Sequence, residues 1–147
     1  MAAIDDGAKA VLKDARVSAR QRGARSAEPL DVLIAAIRTS PQVTELIAAP
    51  HQLTWEELSA QDASPPRYRG LGRLLHGPVV FSDETKAILL RATALAADGD
   101  VTARHLAAAA LEQHDSRVDE VLTLHGTTAD RLHQALLSVV MKALIFS

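Results

Sequence analysis

Apolar residues recur at helical spacing in two similar series, one in each half of the chain. The first series comprises Ala8, Val11, Leu12, Ala15 and Ala19. The second comprises Ile88, Leu89, Ala92 and Leu95. Residues three or four apart share one face of a helix, so each series predicts an amphipathic helix packed against a core. Ser82 is a good N-cap for the second of these helices.

A further helix is predicted after each amphipathic helix. One begins near Pro29, which the first turn tolerates, and is apolar nearly all round, which predicts a central, buried position. The other begins after Thr102 as N-cap. Third and fourth helices follow in each half, with inward residues predicted at Val43, Leu46, Ile47, Val118, Val121, Leu122, Leu124, Leu132 and Leu136.

The same order of elements occurs in both halves, so the chain consists of one helical unit repeated once. The copies span residues 4–60 and 81–140, with a linker at 61–80 that is rich in proline, glycine and arginine and a tail at 141–147. A four-helix unit of this kind cannot bury its central helix alone. The sequence therefore predicts one all-α domain, residues 1–147, made of two pseudo-twofold-related four-helix repeats.

Composition limits the classes of function. The chain is 48% hydrophobic but only 3% aromatic, which favours closely packed, alanine-rich helices over a sheet. The net charge of -2 gives no overall attraction to nucleic acid or membrane. The absence of cysteine excludes disulfides, thiolate catalysis and cysteine-based zinc sites.

The two ends of the chain predict a cytoplasmic protein without a membrane segment. Met1 to Ile4 leads directly into Asp5 and Asp6, which is not the pattern of a signal peptide. The most apolar run, 139–146, is shorter than the ~20 residues that a membrane span needs. It predicts a terminal helix with one face on the core rather than a membrane contact.

No catalytic, metal or cofactor motif is present in the sequence. The histidines have no spacing typical of a metal site. No serine lies in a G-x-S-x-G elbow, and no phosphate-binding G-x-x-x-x-G-K-[ST] loop occurs. The sequence therefore predicts a protein that is not an enzyme and that carries no cofactor. The histidines are His51, His76, His105, His114, His125 and His133.

The ordered motifs resemble the Clp N-terminal domain, the double-repeat module in front of ClpA/ClpC-type AAA+ unfoldases. Phe81-Ser82, then Val101 to Leu106, then Leu122 to Gly126 are similar to the family's second repeat. The first repeat matches more loosely, through Ile4-Asp5 and Ala27 to Ile34. The resemblance covers about residues 4–140 and implies a binding module that partners a Clp ATPase, an adaptor or a substrate peptide.

Two positions depart from the family pattern. The glutamate of its Glu-His-Leu motif is Leu30 in the first copy and Arg104 in the second. In some ClpC domains these glutamates receive phosphoarginine, whose guanidinium needs a carboxylate partner. Leu30 cannot supply one and Arg104 would repel the ligand, so phosphoarginine recognition is not expected here.

The resemblance also implies a ligand site at the junction of the copies. In actinobacterial ClpC domains the corresponding surface binds cyclic peptide antibiotics, which points to Phe81, Lys86 and His76. Ile4 is the pseudo-symmetric counterpart of Phe81. Two interpretations of Phe81 remain open, a groove wall between the repeats or a hydrophobic staple onto its own helix.

Three functional hypotheses follow. The first is a peptide- or protein-binding module that modulates a separate Clp unfoldase or protease. The second is a decoy that sequesters cyclic peptide antibiotics or toxic peptides. The third and weakest is nucleic-acid contact through Arg67, Arg69 and Arg73 of the linker, which is more simply a solvated connector.

Overall fold

The computed structural model describes residues 3–61, 79–97 and 99–136. Several predictions therefore concern residues outside this part of the chain. They include His76, most of the linker with its three arginines, and the tail at 141–147. Among the described residues, none of the helices is long and apolar enough to cross a membrane.

The first copy forms the predicted series of helices. Asp5 caps the first, with the Ala8 N–H donating to Oδ1 at 2.7 Å, and Ser40 caps the third. Gly23 ends the first helix with a φ of 75°, a left-handed conformation that suits glycine. The helices are α1 (Asp6–Gln21), α2 (Pro29–Thr39), α3 (Pro41–Val43, continuing as a π-helix over Thr44–Ala48) and α4 (Trp55–Gln61).

The second copy repeats this order. Ser82 and Thr102 accept backbone N–H groups at a helix start, as predicted, and Asp115 does the same for the third helix. Thr128 caps the last helix, because its Oγ1 accepts the Arg131 N–H. The helices are α5 (Asp83–Ala96), α6 (Ala103–Glu112), α7 (Ser116–Leu124) and α8 (residues 129–136).

Short parallel backbone pairings join the two copies. Strand β1 (Ser26–Ala27) pairs with β2 (Val80–Phe81), and Ile4 forms an equivalent bridge with Val101. The start of each copy thus pairs with the loop before the central helix of the other. The hydrogen bonds match as well, from Asp5 N–H to Val101 O at 3.0 Å and from Ser82 N–H to Ala27 O at 3.1 Å. These reciprocal contacts express the predicted pseudo-twofold symmetry.

The core lies between the central helices. Helices α2 and α6 pack on one another, and α1 and α5 cover them from outside. Equivalent positions of α1 and α5 are buried in both copies, namely Ala8 and Thr85, Val11 and Ile88, and Ala15 and Ala92. The all-α prediction is confirmed, with strands of only two residues each in the described part of the chain.

One ion pair occurs in both copies with its charges exchanged. In the first copy Arg38 of α2 donates to Asp14 of α1. In the second copy Arg91 of α5 donates to Glu112 of α6, at 2.6 Å. Each pair ties the first helix of its copy to the central helix. The paired positions are equivalent in the two copies, and only the placement of the acidic and basic residues is exchanged.

Two local features differ from the sequence prediction. Leu124 is 64% exposed rather than inward. At about 100° per residue it lies some 200° around α7 from the buried Leu122, so both cannot face the core. The π-helix over Thr44–Ala48 was also not predicted; there the Ala49 N–H donates to Thr44 O, five residues back.

Candidate functional site

Phe81 lies at the junction of the two copies. Its backbone belongs to β2 and pairs with Ala27, and its side chain is half-buried against the core. The guanidinium of Arg16, from α1, lies over the ring at 5.4 Å from the centroid. A hydrophobic staple needs an apolar fourth residue in the helix that follows, where α5 has Lys86. The contacts of Phe81 therefore lie across the junction and not only on its own helix.

An open groove runs along α1 beside this junction. It has a volume of about 180 Å³ and is lined by Lys13, Arg16, Val17, Arg20 and Val79. Lys13, Val17 and Arg20 recur at spacings of four and three, so they form one face of α1. Val79 and Phe81 are two residues apart in an extended segment and point to the same side. We call these five lining residues the basic groove.

Three of the four predicted site residues, Phe81, Lys86 and Ile4, lie in the described part of the chain. Arg16, which contacts Phe81, lies ten residues after the start of α1, about 15 Å along its axis. Ile4 precedes that start, is 38% exposed and bridges to Val101. Lys86 is exposed on the first turns of α5. Phe81 and Ile4 thus occupy equivalent positions in the backbone pairings that join the two copies.

The basic groove was not predicted from the sequence. Lys13, Arg16 and Arg20 lie on the face of α1 opposite its apolar series, and all three are exposed. The available signal was Val17, an apolar residue on that face, which is 43% exposed. What the sequence could not give is the position of Val79, because only the pairing of β2 with β1 brings it to α1.

The groups with shifted pKa values belong to helix caps and ion pairs. Burial raises the pKa of Asp31, although the Arg22 guanidinium at 2.5 Å and the Glu28 N–H act against it. Burial, with Arg104 next in the chain, lowers the pKa of His105. The hydrogen bond from Arg91 lowers the pKa of Glu112. Each shift therefore has a structural cause that requires no substrate.

Comparison with known proteins gives a structural match. No family model matches the chain, and no curated protein matches it. The Hsp104 N-terminal domain from Candida albicans superposes with a TM-score of 0.73 at 17% identity, covering 93% of this chain and 91% of that one. The N-terminal domain of the caseinolytic protease associated chaperone ClpD from Arabidopsis thaliana gives a TM-score of 0.75 at 15% identity, covering 94% of each chain. The chain has the Clp N-terminal domain fold.

Within this Clp N-terminal domain fold, the two departures from the family pattern lie at the starts of the central helices. Leu30 is 2% exposed, so its side chain is part of the core. Arg104 is half-buried, and its Nε has no hydrogen-bond partner among the described residues. Neither position offers a carboxylate to a guanidinium ligand.

The same Clp N-terminal domain fold brings no metal-binding set together in the described ranges. No three histidine, aspartate or glutamate side chains there come close enough to hold an ion. His133 and Arg91 both contact Glu112, which makes a charge cluster that joins α5, α6 and α8. That cluster ties the three helices together.

Proposed function

We propose that this protein is a non-catalytic module that binds a protein or peptide and acts with a Clp unfoldase or protease. The observation that carries the proposal is the apolar surface at the junction of the copies. There Arg16 lies over the half-buried Phe81 ring and also lines a groove with Val17, which is 43% exposed, and Val79. Exposed apolar groups gathered in a groove are typical of a binding surface.

The fold supports the same proposal. The two similar structures are N-terminal domains of proteins whose names identify them as Hsp104 and as a protease-associated chaperone. A domain of this fold is suited to present a surface to a polypeptide while a separate ATPase performs the mechanical work. The ligand site that we propose centres on Phe81, with Lys86 at its rim. His76 and Ile4 remain predicted members of that site.

The test is binding of a substrate peptide and its effect on proteolysis. Replacing Phe81 with alanine removes the aromatic surface and should weaken peptide binding at least about tenfold, which corresponds to about 1.4 kcal/mol. The matched control is Leu124→Ala, which truncates an apolar side chain that is 64% exposed on α7. Circular dichroism of both variants should match the parent. Unchanged affinity in a folded Phe81→Ala protein would contradict the proposed site.

The proteolysis measurement distinguishes a modulator from a decoy. A modulator should change the degradation rate of a substrate by the Clp ATPase and protease of the same cell. A decoy should bind a cyclic peptide antibiotic tightly and leave that rate unchanged when no antibiotic is present. We propose the modulator, because binding a partner protein requires only an exposed apolar surface such as the one beside Phe81.

A further inference from the structure

We propose that the basic groove binds acidic polypeptide segments that carry an apolar or aromatic side chain. This inference rests on the proposed function, because it names the class of ligand for the same binding surface. It assigns Lys13, Arg16 and Arg20 of α1 as the residues that select the ligand by charge. None of these three was among the predicted site residues.

The charges of the groove have one sign. Lys13, Arg16 and Arg20 lie along one side of α1, and among the described residues neither Lys13 nor Arg20 has a carboxylate partner. Asp14, the nearest acid in the helix, is bonded to Arg38 and is thus directed away. A concave surface lined by cations concentrates anionic ligands.

The apolar part of the groove lies between these charges. Val17 and Val79 line it, and Phe81 adjoins it with Arg16 over its ring. Arg16 is exposed, so its guanidinium can stack on the Phe81 ring and still receive a carboxylate from a ligand. A ligand that fits both features has acidic residues around an apolar anchor, with the anchor against Val17 and Val79.

The pseudo-symmetry of the molecule shows that the fold does not need these cations. The positions of α5 equivalent to Lys13, Arg16 and Arg20 are Leu90, Thr93 and Ala97. All three are uncharged and exposed, although α5 buries three of the positions that α1 buries, at Thr85, Ile88 and Ala92. The positive charge is therefore specific to the face beside Phe81. This is expected if the cations bind a ligand, and it is not expected if they are needed for folding.

The composition of the linker also favours an external ligand. Residues 62–78 precede Val79 and contain Arg67, Arg69 and Arg73 but no acid other than Asp62. A segment with that charge does not complement a basic groove. A separate acidic chain does, and the proposal commits to this occupant.

The experiment compares two fluorescein-labelled peptides by anisotropy with the full-length protein. Each has two central phenylalanines, flanked by glutamates in one and by lysines in the other. The glutamate peptide should bind about tenfold tighter than the lysine peptide, and its affinity should fall as salt is raised from about 50 to about 300 mM. Equal affinities for the two peptides would overturn the charge assignment.

Matched charge reversals locate the interaction. Arg20→Glu and Lys13→Glu should each weaken the glutamate peptide about fivefold to tenfold. Arg131→Glu makes the same change in net charge at an exposed position of α8 and should alter affinity less than about twofold. Arg20→Gln avoids an acid in the last turn of α1 and serves if Arg20→Glu does not fold. Equal effects of Arg20→Glu and Arg131→Glu would overturn the proposal.

The two proposals fail in different ways. If both peptides bind equally and Phe81→Ala abolishes both, the binding module stands and the selection for acidic ligands is overturned. If neither peptide binds the parent protein at any salt concentration, both proposals are overturned. Selective binding of the glutamate peptide that Arg20→Glu removes supports both.

Discussion

Asp31 and His105 occupy the same position in the two copies, the third residue of the central helix. Each accepts the backbone N–H of its N-cap residue, from Glu28 to Asp31 at 2.9 Å and from Thr102 to His105 Nδ1 at 3.0 Å. These reciprocal caps satisfy donors that the first turn of a helix leaves without intrahelical partners. An imidazole can fill this role only while Nδ1 carries no proton.

The His105 cap should therefore be lost in acid. Because burial lowers the pKa of folded His105 below that of the unfolded chain, its contribution is present above about pH 6.5 and is lost as the pH falls below that value. His105→Asn, isosteric with Asp31 and always unprotonated, should remove this loss, worth about 1 kcal/mol. The measurement is the free energy of unfolding in urea at pH 7.5 and 5.5. The same acid loss in both proteins would contradict the cap assignment.

The caps could be predicted from the sequence because they depend on local residues. Ser82 and Thr102 each cap a helix at the position that the sequence predicts. The prediction for Leu124 is wrong because it used only the apolar character of the residue. It did not take into account the position of Leu124 around the helix axis relative to Leu122. The contact between Arg16 and Phe81 lay beyond prediction, since it joins residues of different copies.

At the scale of elements, the ion pairs between first and central helices show what the fold requires. Asp14 with Arg38, and Arg91 with Glu112, place opposite charges at equivalent positions with opposite polarity. The backbone therefore accepts either polarity at this contact. Arg38 also lies over the Trp55 ring at 4.9 Å, so it has a packing role in addition.

Exchanging the charges of the first copy should be tolerated. Asp14→Arg and Arg38→Glu alone should each cost about 1 kcal/mol, because each leaves like charges facing one another. The double variant should recover at least about half of the summed loss, less the part due to stacking on Trp55. A double-mutant cycle by chemical denaturation measures this. Strictly additive losses would show that the two side chains do not interact.

The helices could be predicted from the sequence, but the short backbone pairings between the two copies could not, for a physical reason. A helix of ten or more residues repeats its apolar spacing often enough to be recognised. Strands β1 and β2 have two residues each, which is too short to show alternation. The basic groove depends on these pairings, because they bring Val79 beside α1. Its lining residues could therefore be named only from the structure.

At the scale of the molecule, the two copies share one continuous hydrophobic core. Helices α2 and α6 bury one another, and Leu106 and Leu33 are both fully buried. The backbone pairings of Ile4 and Phe81 cross between copies as well. The two halves should therefore lose structure in one transition.

A truncation in one copy should be detected in the other. Leu106→Ala, in the second copy, should cost about 2–5 kcal/mol of unfolding free energy. The chain has a single tryptophan, Trp55, in the first copy. Its fluorescence transition should shift together with the far-UV circular dichroism transition. A Trp55 transition that stays at the parent midpoint would show that the copies unfold independently.

The exchanged ion pairs have a consequence for how a duplicated chain finds its partners. If α1 docked on α6 in place of α2, Asp14 would face Glu112; if α5 docked on α2, Arg91 would face Arg38. Both exchanges set like charges together, whereas apolar surfaces alone would accept either partner. The two ion pairs should therefore disfavour the exchange of helices between the similarly folded halves, within one molecule or between neighbouring molecules.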